Sequence, residues 1–88
     1  MSVIHIMPDH ELGGGGVMIA RLLAAFRDIG ETTGHMALLP ANADPRMLEI
    51  FADLPHRVGA FPGRGSLLAM AKDILRHAGP GDVAHAHG

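Results

Sequence analysis

A chain of 88 residues that is 48% hydrophobic and 18% charged, with a formal net charge of −2, is too apolar for a disordered segment and too acidic for a general polyanion-binding surface, which argues against nucleic acid as a partner. It contains no cysteine, so a disulfide framework, a thiolate metal site and a cysteine nucleophile are excluded, and a reducing compartment is compatible. The length allows at most one compact unit, burying about 60 to 65% of its unfolded surface and only marginally stable alone.

The amino terminus, "MSVIHIMPDH", has no basic start, and Pro8 closes its apolar run too early for a secretion signal. No stretch approaches the roughly 18 apolar residues of a membrane span, so the cytoplasm is the expected location. Residues 3–7 form a short apolar run, as in a strand buried on both faces of a parallel sheet. Four consecutive glycines, Gly13, Gly14, Gly15 and Gly16, follow and stand directly before a helical pattern. In that pattern Ile19, Leu22, Leu23, Phe26 and Ile29 recur at three- and four-residue spacings until Gly30 ends it. "GHMALLP", residues 34–40, predicts a second strand. Asp44 as a cap and Pro45 at the first helical position then predict a second helix carrying Leu48, Ile50, Phe51 and Leu54.

A short third strand is expected near residues 57–61. A third helix is expected in "LLAMAKDILRHAG", capped by Ser66, with Lys72, Arg76 and His77 toward its carboxyl end, where the helix dipole favours cations. A turn at Pro80 and Gly81 leads into a last strand over residues 82–87. The alternation of about four strands and three helices predicts an α/β fold, an open doubly wound parallel sheet of the Rossmann-like type. Alternation also calls for a further helix after the last strand. The 88 residues are therefore expected to be the front end of something longer, with a short protein completed by a partner subunit as the alternative.

Glycine leaves room for a ligand to reach backbone amides, and a helix amino terminus adds positive potential, so the Gly13 to Gly16 run is a candidate site for phosphate or sugar oxygens. A plain tight turn would need one or two glycines. The dinucleotide fingerprint is not met, because its third glycine would fall on Met18, and no Gly-Lys-Ser/Thr exists for a Walker A loop. In the ending "GDVAHAHG", the two-residue period of a strand puts Val83, His85 and His87 on one face, with His87 at the carboxyl end. If the strand order is 3-2-1-4, the first and fourth strands flank the switch point, and the glycines and His87 meet across one crevice. His5 and His85 read as satisfied histidines within the sheet, His35 begins a strand, and His56 and His77 are solvated. No carboxylate or cysteine spacing completes a metal site around His85 and His87, even with His5 or His10. Ser66, in "GRGSLL", does not sit in a nucleophile elbow.

Taken in order, "VIHIMP", "LGGGGVMIARLLAAFRDIG", "GHMALL" and "GDVAHAHG" resemble the amino-terminal segment of the family 4 glycosyltransferases, retaining enzymes of the GT-B fold. The resemblance spans the whole chain. It implies a partial amino-terminal, acceptor-side domain over residues 1–88, the carboxyl-terminal donor-binding domain being absent and required in cis or in trans. It further implies that the complete enzyme moves a sugar from a nucleotide-sugar donor, a substrate and not a cofactor, to a sugar or lipid-linked acceptor. By the same resemblance Gly13 and Gly14 lie beside the donor diphosphate and the acceptor, Gly15 and Gly16 replace a small residue and a glutamate found in many members, and His87 lies near the transferred sugar. The resemblance implies a cytoplasmic enzyme, peripheral at the inner membrane where the acceptor is lipid-linked, although Arg46, Lys72 and Arg76 are too scattered for a basic amphipathic helix. Two other readings stay open: a small module that captures a phosphorylated ligand on the glycine loop without chemistry, and an inactive truncated remnant.

Overall fold

A computed structural model describes residues 2–30, 34–63 and 67–86. Four strands, β1 (Ser2–Ile6), β2 (Gly34–Leu39), β3 (His56–Val58) and β4 (Val83–Ala86), alternate with three helices, α1 (Gly14–Asp28), α2 (Pro45–Phe51) and α3 (Leu67–His77). All pairings are parallel and the order is β3-β2-β1-β4. The α/β, open, doubly wound sheet expected from the alternation is therefore the fold, in the strand order on which the crevice argument depends. The predicted third strand is shorter than residues 57–61 and starts one residue earlier, at His56. Ser66, the expected cap of α3, lies outside the described residues.

Strand alternation sorts the side chains of the sheet into two cores. Met7, Ala37 and Leu39 face α1 and α2 and pack with Ile19, Leu23, Met47 and Phe51. Ile4, Ile6 and Leu38 point the other way, onto Phe61 and the Ala69, Met70 and Ile74 side of α3. Helices thus cover both faces, as right-handed crossovers on either side of β1 require. Each core is anchored by one phenylalanine at 1% exposure or less, Phe51 and Phe61, a burial worth about 2–3 kcal/mol each. The helical stripes are narrower than their spacing suggested. Ile29 of the α1 pattern is 74% exposed, and Leu48 and Ile50 of α2 face solvent. The inner position of α2 is held by Met47 instead, one turn before Phe51.

Helix ends follow local chemistry. The Asp44 side chain accepts from the Arg46 amide at 2.8 Å, and Pro45 occupies the first turn. That amide bond, then the Arg46 guanidinium, holds the Asp44 carboxyl below its ordinary range. Gly30 takes the left-handed conformation, φ 68°, that ends α1. The α3–β4 turn is tied by Asp82, whose oxygens accept from the amides of Gly79 at 2.7 Å and Ser2 at 2.9 Å. Those two bonds, the Gly79 one first, hold the Asp82 carboxyl below its ordinary range.

The least exposed charged group is Asp73 of α3, at 1%. Its Oδ2 accepts from the amides of Ala60 and of Phe61, the latter at 2.7 Å, and its Oδ1 faces Arg76 Nη1 at 3.3 Å. One carboxylate thereby fixes the chain after β3 to the helix that follows. Gly59 has to be glycine for this: a Cβ there would stand 2.6 Å from Asp73 Oδ2 and 3.0 Å from the Phe61 ring.

Replacing Asp73 by Ala leaves the buried Phe61 amide and the part-buried Ala60 amide without an acceptor and is expected to cost about 2–4 kcal/mol in urea unfolding. A loss below about 0.5 kcal/mol would show that water satisfies those amides. For Asp82 the sign runs with the lowered carboxyl: stability is present above the unfolded value of about 3.9 and is lost as pH falls through the depressed folded value. Asp82→Asn should therefore lower the melting temperature at pH 7 and narrow its gap to wild type below pH 4, as read by thermal unfolding across that range.

Candidate functional site

Beyond Ile6 the chain leaves β1 through Met7 and Pro8, turns, and enters α1 at the glycines. Helix α1 begins inside the run: Gly13 is the N-cap, in extended backbone, and Gly14, Gly15 and Gly16 form the first turn. Three of the four glycines are thus helical residues and not a loop ahead of the helix. No side chain caps this end, and no acidic residue lies in the first turn. The first amides of a helix have no carbonyl within the helix to bond, so they stand ready for an incoming acceptor.

Packing explains one of the four glycines. A Cβ on Gly16 would lie 3.2 Å from Leu12 Cδ1 and within 4 Å of Met7 and Met47, so this position is filled by its neighbours. At Gly13, Gly14 and Gly15 a Cβ would meet nothing within 4 Å, and none of them has positive φ. Neither backbone strain nor close packing requires glycine there. At Gly14 and Gly15, inside the helix, glycine costs stability relative to alanine, whereas at the N-cap, Gly13, it does not.

In front of this turn lies a cleft of about 490 Å³, between the carboxyl ends of β1 and β4. The two strands are neighbours, the chain running from β1 to β2 on one side and adding β4 on the other, so this is the switch point of the sheet. Its lining includes Gly13, Gly15 and Gly16 from α1 and Ala86 from the end of β4. The glycines and the carboxyl end of the last strand therefore share one crevice. His87, the residue after Ala86, lies outside the described residues.

Two further groups lie in the cleft that were not among the candidate site residues. Asp9 and Glu11, from the segment joining β1 to α1, put carboxylates on its wall, and Met7, Met18 and Met47 give it an apolar floor. The signal for the two acids was their position within four residues of the glycines. Among the described residues, no lysine or arginine lines the cleft. Asp9 Oδ1 accepts from the Glu11 amide at 3.1 Å, and the His10 ring stands between the two acids, 3.6 Å and 3.8 Å away. His10 Nδ1 is enclosed without a hydrogen-bond partner.

The loops at this end of the sheet brace one another. The carbonyl of His10 accepts from the Asp44 amide at 2.7 Å, and the Gly63 amide donates to Asn42 Oδ1 at 2.7 Å. A Cβ on Gly63 would fall 2.5 Å from the His10 backbone, so the loop after β3 presses directly on the segment that carries the two acids.

The other histidines separate from the cleft. His5 is buried at 4% exposure, as expected of a satisfied sheet histidine. His85 is not: β4 is an edge strand, exposed along its length, and the ring lies open on the α1 side. The expectation of a buried His85 fails because no described strand or helix covers β4 on its outer side. His56 Nδ1 bonds the Leu54 carbonyl at 2.8 Å beside β3, and His77 ends α3. Among the described residues no group of three or more histidines and carboxylates is arranged to hold a metal ion, and no helix is long and apolar enough to cross a membrane.

Comparison with protein-family models, with curated proteins and with solved structures finds no match to this chain.

Since three of the glycines serve no packing purpose, Gly14→Ala and Gly15→Ala should each raise stability by about 0.5–1 kcal/mol, measured by urea unfolding. Gly16→Val should instead destabilise, by pressing on Leu12. A destabilising Gly14→Ala would reveal a structural demand at the helix start.

Proposed function

We propose that this chain is the acceptor-side half of a retaining glycosyltransferase of the GT-B type, which moves a sugar from a nucleotide-sugar donor to an acceptor hydroxyl and is inactive without a donor-binding domain. The observation that carries the reading is the glycine run: Gly14 and Gly15 give up helix stability without any return in packing, and the N-cap Gly13 before them is equally open. What remains is access, backbone amides bare enough for a diphosphate or a sugar to lie against them. Their position at the switch point, facing the end of β4, supports the same reading.

In this scheme the chain contributes positioning. The first-turn amides of α1 face the donor diphosphate, the cleft holds the acceptor, and His87 is a polar contact near the reacting sugar. Holding the hydroxyl against the anomeric carbon removes an entropic barrier, and stabilising the departing diphosphate supplies the electrostatic part. The second of these needs cations, and the lining of the cleft holds carboxylates instead. That charge balance favours an acceptor side over the other reading, a module that captures a phosphorylated ligand unaided.

The test is sugar transfer by the native protein, isolated from its own cells with an antibody to this segment. Nucleotide-sugar-dependent transfer that falls about 100-fold in Gly14→Val, where the bulky side chain displaces the reacting groups, is the expected result. A protein that turns over no nucleotide sugar, or whose transfer is indifferent to Gly14→Val, overturns the proposal. So does turnover by the pure 88-residue chain. Micromolar binding of phosphorylated metabolites by that chain, lost in Gly14→Val, would put the capture module in its place.

A further inference from the structure

Away from the cleft, on the α1 side of the sheet, three imidazoles from three adjacent strands come together. His5, at the centre of β1, is paired in register with His85 on β4, and their ring centroids are 6.2 Å apart. On its other side His5 stacks on His35 of β2, with centroids 5.3 Å apart and planes inclined by 18°. Their facing nitrogens, His5 Nε2 and His35 Nδ1, are 3.0 Å apart, a hydrogen bond. Phe26 of α1 lies on the far face of His35, 4.1 Å between centroids, so the series Phe26, His35, His5 runs from the helix into the middle of the sheet.

We propose that this stack is an acid-sensitive clamp between α1 and the sheet. The argument is a count of protons. A hydrogen bond between two imidazole nitrogens needs one N–H and one lone pair. With both rings neutral the bond stands, and with one ring doubly protonated it still stands, because the cation donates to its neutral neighbour. With both doubly protonated, two N–H groups face each other at 3.0 Å and the bond is gone. In the unfolded chain the two rings take up protons independently. The clamped fold therefore excludes at least one proton that the unfolded chain binds in acid, and linkage makes the fold less stable as pH falls.

Among the described residues, the cations and potential cations facing the pair act in one direction, offset in part by the Asp28 carboxylate beside Arg27. From β4 comes His85. From α1 comes Arg27, which shares a recess of about 420 Å³ with His35 and Phe26 and whose guanidinium lies 3.4 Å from Asp28. Each is a cation or can become one, so each opposes a second charge on the pair. His5, at 4% exposure, is also shielded from the water that would otherwise solvate that charge. Release of the stack removes the Phe26 contact, one of those that hold the carboxyl-terminal half of α1 to the sheet. The inference concerns stability and stands apart from the proposed activity.

The experiment is urea unfolding of the whole chain at several values from pH 7.5 to pH 5, above the range in which carboxylates take up protons. Below about pH 6.5 the folding equilibrium constant of the wild type should fall up to tenfold per pH unit through this pair. In His5→Phe the aromatic stack is kept but no imidazole pair shares a proton, so the fall should be shallower by that one-proton slope. His10, His56 and His77 are present in both proteins and cancel in the difference. Should His5→Phe fail to fold, long-range proton–nitrogen NMR of the wild-type imidazoles gives the answer. One ring of the pair should keep an unprotonated nitrogen for as long as the chain remains folded. Equal slopes in the two proteins, or both rings doubly protonated in a folded chain, would overturn the clamp.

Discussion

Strand β1 is hydrogen-bonded on both edges, to β2 on one side and β4 on the other, and the rest of the molecule is arranged around that pairing. Its neighbours are not its successors in simple order: the chain moves one way from β1 through β2 to β3, then returns across the sheet to add β4 on the opposite side. Right-handed crossovers then put α1 and α2 over one face and α3 over the other. The chain leaves β1 toward β2 on one side while β4 is added on the other, and the cleft lies at the carboxyl ends of these two strands. Its position is a consequence of strand order before any side chain is considered.

Within this frame the molecule spends its polar contacts unevenly. The β3–α3–β4 crossover is tied at both ends, by Asp73 to the chain after β3 and by Asp82 across the start of β1. The segments around the cleft are braced against one another through the His10 carbonyl and the Gly63 contact. The amino end of α1, by contrast, has no side-chain cap and no packed neighbour at its first three glycines. A rigid surround with an open, amide-rich turn at its centre is the arrangement expected where a ligand supplies the missing partner.

Much of the fold was legible because its signals are local. Pro8, Pro40 and Gly30 punctuate the chain where elements end, and the Asp44–Pro45 pair marks the start of α2 through geometry that two residues control alone. Less legible was which apolar residue faces inward. Spacing placed Ile29 and Leu22 on the buried stripe of α1, but the sheet beneath is only four strands wide, and the side of the helix away from α2 has nothing to rest on. His85 failed for the same reason, since burial in a strand depends on what lies over it and beside it. The place of Asp9 and Glu11 on the cleft wall follows from a turn whose direction the loops after β2 and β3 impose.

The sequence by itself determined the element order, the parallel α/β class and the unusual concentration of glycine at one helix start, because these rest on periodicity, breakers and backbone freedom within a few residues. Tertiary structure alone decided that β4 lies beside β1, that the glycines face its end across a cleft walled by two carboxylates, and that His5 and His35 share a hydrogen bond from neighbouring strands. Those are contacts between residues some 30 to 80 positions apart, set by how the strands register once both cores are filled, and no local pattern encodes that register.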